Sequence, residues 1–228
     1  MTKKITIAID GFSSTGKSTI AKQLAKHLGY VYVDTGAMYR AITYFAMKQG
    51  MIDKNRFDVE NLIHSLDKIK IGFKYNSDLG YSETYLNDEN VERQIRTIEV
   101  SQFVSKVAEI SEVRTKLVEQ QQQMGKDKGI VMDGRDIGTV VFPDAELKLF
   151  ITSDSQVKAK RRFDELLSKG ENVTFEEVFK NVTERDYIDT HREDSPLVKA
   201  EDAIEIDNSY LTKEEQFSLI LDLVNDQL

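Results

Sequence analysis

The sequence predicts an α/β fold, a five-stranded parallel sheet flanked by helices and carrying a small antiparallel β insertion. Three observations lead there. Near the N-terminus an apolar run, Ile5 to Ile9, passes through a glycine turn into Lys17 to Leu28, whose apolar residues recur at helical spacing. Short β-branched runs then alternate with longer helical ones toward the C-terminus, the rhythm of strand-helix-strand units. Between residues 66 and 87 that rhythm breaks: Ile69, Ile71, Phe73 and Tyr75 alternate, Asn76 to Gly80 has turn chemistry, and Tyr81, Glu83 and Tyr85 resume the alternation.

The first stretch, ITIAIDGFSSTGKST from Ile5 to Thr19, fills each fixed position of the G-x-x-x-x-G-K-[ST] phosphate loop with Gly11, Gly16, Lys17 and Ser18. Small loop residues let successive main-chain N–H groups converge on an anion, and the next helix points its positive end at the same place. Strand, glycine turn and helix in this order predict a P-loop NTPase fold. The nucleotide site is then the run Gly11, Phe12, Ser13, Ser14, Thr15, Gly16, Lys17, Ser18 and Thr19. Lys17 is expected to face solvent and add a charge at the β- and γ-phosphates, while Ser18 offers its hydroxyl to Mg²⁺. The plainer alternative, a glycine turn that merely joins a strand to a helix, is outweighed by the four filled positions and the two correct flanks.

Tyr30 to Val33 is predicted as the second parallel strand, running into Asp34-Thr35-Gly36-Ala37-Met38-Tyr39-Arg40 and a helix to about Gln49. Ligands of such sheets sit beyond the carboxyl ends of the strands, which brings this segment beside the phosphate loop. Taken alone, Arg40 reads as an ordinary solvated helix residue. After the insertion, helices are predicted over Ile98 to Ile110 and Ser111 to Met124, with Ser111 as N-cap.

Ile130 to Asp133 returns to the sheet as an apolar strand ending in an acid, in the manner of a Walker B strand. Asp133 can serve a metal through water or cap the next helix, and the sequence does not choose between these. Arg135 and Asp136, adjacent on a glycine-bounded turn, point more strongly to a ligand. Leu147 to Ile151 is the next strand and Ser155 to Lys169 the next helix, whose Lys158, Lys160, Arg161 and Arg162 alone would suggest a solvated cationic face. Thr174 to Glu177 forms a capping box opening a helix to about Asp189. Ala203 to Ile206 is the fifth strand, and Thr212 to Glu215 caps the last helix.

Composition narrows the function classes. At 228 residues with no cysteine, the chain has neither a disulfide framework nor a thiolate metal site, and His27, His64 and His191 are too scattered for a histidine site. The N-terminus has no apolar leader, and no apolar run reaches about 18 residues, so a soluble cytoplasmic protein is expected. A net charge of −8 argues against nucleic acid or an anionic membrane as partner. Arginines placed locally inside an acidic envelope suit a small anionic ligand. The chain lacks the D-x-x-G and Asn-Lys-x-Asp elements of a switch GTPase. A small-molecule kinase, which must neutralise ATP and a second anion together, fits better.

The phosphate loop, DTGAMYRA from Asp34, QIRTIEVS from Gln94, MDGRDIGTVVFPDA from Met132, KRRF from Lys160 and RDYIDTHR from Arg185 come in an order and spacing that resemble the bacterial cytidylate kinases along the whole chain. That resemblance implies one kinase domain over 1–228, with an acceptor-nucleotide region at about 35–110 and a short lid at about 155–170. It also implies ATP as phosphate donor with Mg²⁺ held at Ser18, CMP and dCMP as acceptors, and a monomer. Thr35 (a position where the family often has Ser) and Arg40 would hold the acceptor, and Arg135 its phosphate. Ser105, Arg114 and Asp136 would recognise it, partly at the cytosine. Arg185, Asp189 and Arg192 would contact ribose and base. Arg161 and Arg162 would belong to the lid, and Lys17, Arg135, Arg161, Arg162 and Arg185 would neutralise the transferring phosphoryl group.

Overall fold

Ile5, Ile7 and Ile9 point to one side of the first strand and Ala8 and Asp10 to the other, and all five are buried, so this strand must be covered on both faces. The computed structural model, which describes residues 3–78 and 80–228, meets that demand with an open parallel sheet. In chain order the elements are β1 (Thr6–Gly11), α1 (Lys17–Leu28), β2 (Val31–Asp34), α2 (Thr35–Lys48), α3 (Val59–Ser65), β3 (Ile71–Asn76), β4 (Tyr81–Leu86) and β5 (Glu89–Asn90). Next come α4 (Ile98–Val107), α5 (Ser111–Met124), β6 (Ile130–Asp133), β7 (Leu147–Thr152), α6 (Ser155–Ser168), α7 (Phe175–His191), β8 (Ile204–Asp207) and α8 (Lys213–Asn225). The chain divides into two units, one ending at Asp34 and resuming at Gln120, the other being Thr35–Glu119.

The first unit holds the parallel sheet in the order β2-β6-β1-β7-β8. Ile9 lies opposite Asp133, and Gly11 opposite Ile151, so the carboxyl ends of β6, β1 and β7 stand side by side. On one face Ile7, Ile9, Leu149 and Ile151 pack with Ile20 and Leu24 of α1 and with Ile220 and Val224 of α8 in a single core. Each such side chain contributes about 1.5–3 kcal/mol when buried, so the strand and helix flanking the phosphate loop are firmly joined. On the other face residues Ile137–Val141 coil into a five-residue π-helical turn whose first amides reach Asp10. The predicted capping boxes form at Thr174/Glu177 and Thr212/Glu215.

In the second unit α2 buries Ala37, Met38, Ala41 and Ile42 and packs on α4 and β4. The insertion is an antiparallel sheet, β3-β4-β5, with Ile71 opposite Leu86 and Asn76 opposite Tyr81. Its third strand is two exposed residues long, too short to show an alternation in sequence. In the predicted turn the Asn76 side chain accepts the Asp78 N–H at 3.0 Å, and Leu79 lies outside the described residues, as do Met1 and Thr2. Ser111 is not the expected N-cap. It already belongs to α5, and the Arg114 amide donates to the Ile110 carbonyl at 3.0 Å, placing Ile110 ahead of the first helical residue. α3 was not legible: seven residues are too few for a helical period to stand out, although Asp58 caps it by accepting the Asn61 N–H.

Candidate active site

The phosphate loop is built on backbone conformations that its sequence makes possible. Gly11 has φ of 140°, and a Cβ there would lie 2.1 Å from the Ile151 carbonyl oxygen, so only glycine lets β1 end this close to β7. Ser14 and Gly16 are left-handed, with φ of 58° and 87°, which turns neighbouring N–H groups toward a common side. Gly16 also stands at the N-cap of α1 without a capping side chain. A loop of this kind presents main-chain donors and the positive helix end to an anion.

Lys17 departs from the expectation that it faces solvent. It is only 5% exposed, and its ammonium donates to the Phe12 carbonyl at 2.5 Å and to the Thr15 hydroxyl at 3.3 Å, folded over its own loop. Burial, with help from the Arg135 guanidinium, pushes its pKa down, while Asp133, Asp186 and Asp10 pull the other way.

Ser18 donates to Asp133 Oδ2 at 2.9 Å, and Tyr32 donates to Asp133 Oδ1 at 2.7 Å. Burial, reinforced by the nearby Asp34, raises the Asp133 pKa, against the pull of Lys17 and these two hydroxyls. Of the two roles open for Asp133, capping the next helical turn does not apply, because Asp136 stands at the N-cap of Ile137–Val141. A serine hydroxyl and a carboxylate meeting at the loop are hard oxygen donors of the type magnesium takes beside phosphate oxygens and water, so the residues present fit that ion.

Two side chains that the sequence alone left without a role anchor the loop. Asp186 accepts the Ser13 N–H at 2.8 Å and pairs at 2.5 Å with Lys158, whose ammonium lies 4.7 Å from the Phe12 ring centroid. Lys158 is therefore buried, not part of a solvated face. Asn208, at the end of β8, donates to the Thr15 carbonyl at 2.7 Å, and Arg161 in turn donates to the Asn208 side chain and main-chain oxygens, both at 2.9 Å. Arg162 is buried and donates to Glu165 at 2.8 Å.

Beyond β6 the predicted arginines gather. Arg135 donates to Asp189 at 2.7 Å, and Arg192 stands 4.0 Å from Asp136 while its guanidinium also donates to the Ser195 carbonyl. Arg185, Asp189 and Arg192 occupy one side of α7 and its end, four and three residues apart, and all three are buried. Burial works against ionisation of Asp189, but Arg135, Arg185 and Arg192 outweigh it and hold its pKa below the ordinary value. The result is a buried cationic group with its charge partly answered by two carboxylates, a surface suited to a further anion.

In the second unit Thr35 opens α2 and is buried, and Arg40 lies on the same helix, half-buried. Ser105 is buried on α4. Arg114 of α5 is 2% exposed, donates to the Ala108 carbonyl at 3.2 Å, and has its guanidinium carbon 5.7 Å from the centre of the Tyr39 ring. Arg96 pairs with Glu92 at 2.8 Å. Tyr39 lies within the DTGAMYR motif, yet periodicity alone reads it only as a helix residue.

A family model described as Cytidylate kinase matches residues 7–226. The chain is 73% identical to a cytidylate kinase of Flavobacterium johnsoniae over 224 residues, 98% of this chain and 97% of that one. It is 56% identical to a cytidylate kinase of Bacteroides thetaiotaomicron over 214 residues, 94% of this chain and 93% of the other. Among solved structures, an uncharacterised protein of Eubacterium ventriosum shares the fold with a TM-score of 0.51 at 13% identity, covering 98% of this chain and 99% of its own. With a phosphate loop on β1, an acid-ended β6 and a buried arginine group beyond it, the chain belongs to the cytidylate kinase family.

Proposed function

We propose that this protein transfers the terminal phosphoryl group of ATP to CMP or dCMP, giving ADP and CDP or dCDP, with Mg²⁺ bound beside Ser18 and Asp133. The observation that carries this reading is the neighbourhood of Lys17 and Arg135. The phosphate loop follows β1 and Arg135 follows the adjacent β6, close enough for the Arg135 charge to help burial depress the Lys17 pKa. Cations that repel each other in this way are stabilised by anions, and two phosphate groups meeting end to end would supply them.

No general base is required. The second pKa of a phosphomonoester is about 6, so the attacking oxygen of the acceptor is mostly ionised at neutral pH. The residues then align and neutralise: main-chain donors and Lys17 on the ATP phosphates, Arg135 on the acceptor phosphate, and Arg185, Asp189 and Arg192 on ribose and base. Magnesium supplies charge neutralisation at the donor phosphates when bound. Thr35 and Arg40 hold the acceptor, and Ser105 and Arg114 as donors with Asp136 as acceptor match cytosine and mismatch uracil. Residues 35–110 serve as the acceptor region and residues 155–170, with Arg161 and Arg162, as a lid that excludes water from the phosphoryl group. We place the enzyme in the cytoplasm, among the nucleotide pools it would draw on, and as a monomer, since one chain supplies every group named.

Incubation with ATP, Mg²⁺ and each nucleoside monophosphate in turn tests the proposal. CDP formed from CMP far faster than UDP or ADP from their monophosphates is expected. A protein that only binds ATP to regulate a partner would give no diphosphate with any acceptor. Hydrolysis of ATP without acceptor as fast as transfer with it would contradict the lid.

A further inference from the structure

Asp10 stands immediately before the phosphate loop, and its side chain reaches the segment that follows β6. The residue is 5% exposed, and both carboxylate oxygens are committed: Oδ1 accepts the Ile137 N–H at 2.7 Å and Oδ2 accepts the Gly138 N–H at 2.7 Å. At the start of the same segment the Gly134 N–H donates to the Ile9 carbonyl at 3.0 Å. The segment from Gly134 to Gly138 is thus tied to β1 at both ends, by the main chain of Ile9 and by the side chain of Asp10. Arg135 and Asp136 are carried between the two ties.

We infer that Asp10 is a positioning residue for the acceptor side of the reaction, fixing the main chain on which Arg135 and Asp136 stand. The chemistry selects a carboxylate. Two N–H donors converge on one side chain, and only a group with two accepting oxygens answers both; an asparagine would answer one and turn an NH₂ toward the other. Burial raises the Asp10 pKa to about 7, with the Asp136 charge adding to it, while the two amides and the Lys17 ammonium favour the ionised form. Gly138 takes part as well. A Cβ there would lie 3.3 Å from Asp10 Oδ2 and 3.1 Å from the Lys148 side chain, so a larger residue would crowd this contact.

This inference rests on the proposed contact of Arg135 and Asp136 with the acceptor, and the test separates the two. In Asp10→Asn the KM for CMP should rise about tenfold, the loss expected from one charge-assisted hydrogen bond, while ADP affinity by calorimetry changes less than about twofold. Amide exchange over residues 134–141 should quicken, and Asp10→Asn should cost less in kcat/KM on the Arg135→Ala background than in the parent, what remains of the loss being that passed through Asp136. If Asp10→Asn folds poorly, Gly138→Ala crowds the same oxygen and should shift CMP KM in the same direction by less. Equal losses in CMP and ADP binding, or a lower Tm with CMP KM unchanged, overturn the inference. If Arg135→Ala leaves CMP KM unaltered, the acceptor reading fails instead, and the exchange measurement decides alone whether Asp10 holds the segment.

Discussion

In the proposed function the phosphate loop and the arginine group beyond β6 both serve anions, and they are built for it by opposite means. The loop relies on its main chain: left-handed Ser14 and Gly16, a close approach at Gly11, and an uncapped helix end. The arginine group relies on side chains, with Arg135, Arg185 and Arg192 gathered around Asp189 and Asp136. Main-chain dipoles need no counter-ion when idle, whereas buried guanidinium groups do, and that is why carboxylates accompany them. Lys17 is the exception on the loop side, a full charge folded back on Phe12 and Thr15.

Lys17→Ala therefore gives the sharpest test of the contrast. Turnover should fall about 100- to 1,000-fold or more, the usual loss for a preorganised charge at a transition state. Thermal unfolding should move little, because the variant also removes a cation that burial disfavours. Turnover within tenfold of the parent would show that the loop's main chain suffices by itself.

Asp189→Asn probes the other side. Removing the anion shared by three guanidinium groups should cost stability toward the lower end of the about 3–5 kcal/mol seen when buried pairs are broken, since an oxygen remains for Arg135. It should also raise CMP KM with little change in ATP KM. The pH dependence has a definite sign. Asp189 has a folded pKa below its ordinary value, so its contribution is complete above the unfolded value near 3.8 and is lost as pH falls through the lower folded value. Acid unfolding monitored from pH 5 downward should be steeper in the parent than in the variant. Equal slopes would mean that the arginines are not held by this carboxylate.

The difference between the two regions also explains what could be read in advance. A main-chain device is written in consecutive residues, so Gly11, Gly16, Lys17 and Ser18 give away the loop, and alternating and helical periods give the five strands and most helices. A side-chain cluster is written across the chain. Arg135 and Asp189 are 54 positions apart, and Ser13 and Asp186 are 173 apart, so no spacing rule joins them. Resemblance to a family points to the arginines, whereas Asp186, Asn208, Tyr39 and Asp10 are singled out only by their contacts. Burial is hidden from the sequence for the same reason. Lys17 and Lys158 look like solvated cations until Phe12 and Asp186 are brought against them.

The second unit offers a third arrangement, an arginine set over an aromatic ring. Arg114→Met keeps much of the length of the side chain and some of its packing on Tyr39 but removes its donors. If Arg114 reads the base, the preference for CMP over UMP should drop by about tenfold to a hundredfold in kcat/KM, measured on both acceptors in parallel. An unchanged ratio would assign Arg114 to packing alone.

The smallest effect is expected at Tyr32, where the loop region does depend on a side chain. Its hydroxyl donates to Asp133 Oδ1, and Ser18 donates to Oδ2. Burial and the charges of Asp133 and Asp34 hold the Tyr32 pKa well above its ordinary value, so it remains a donor across the working pH range. Tyr32→Phe leaves one oxygen of a buried carboxylate without this partner, a loss of about 1 kcal/mol in stability. It also removes one of the groups holding the Asp133 pKa down, so the carboxylate becomes easier to protonate and weaker as a charge beside Ser18. The Mg²⁺ concentration for half-maximal turnover should rise a few-fold, while ADP binding measured without Mg²⁺ stays as it was, because the main-chain donors are untouched. A magnesium titration superimposable on the parent's would exclude Asp133 from the metal side of the site and leave the loop's backbone, with Ser18 alone, to account for it.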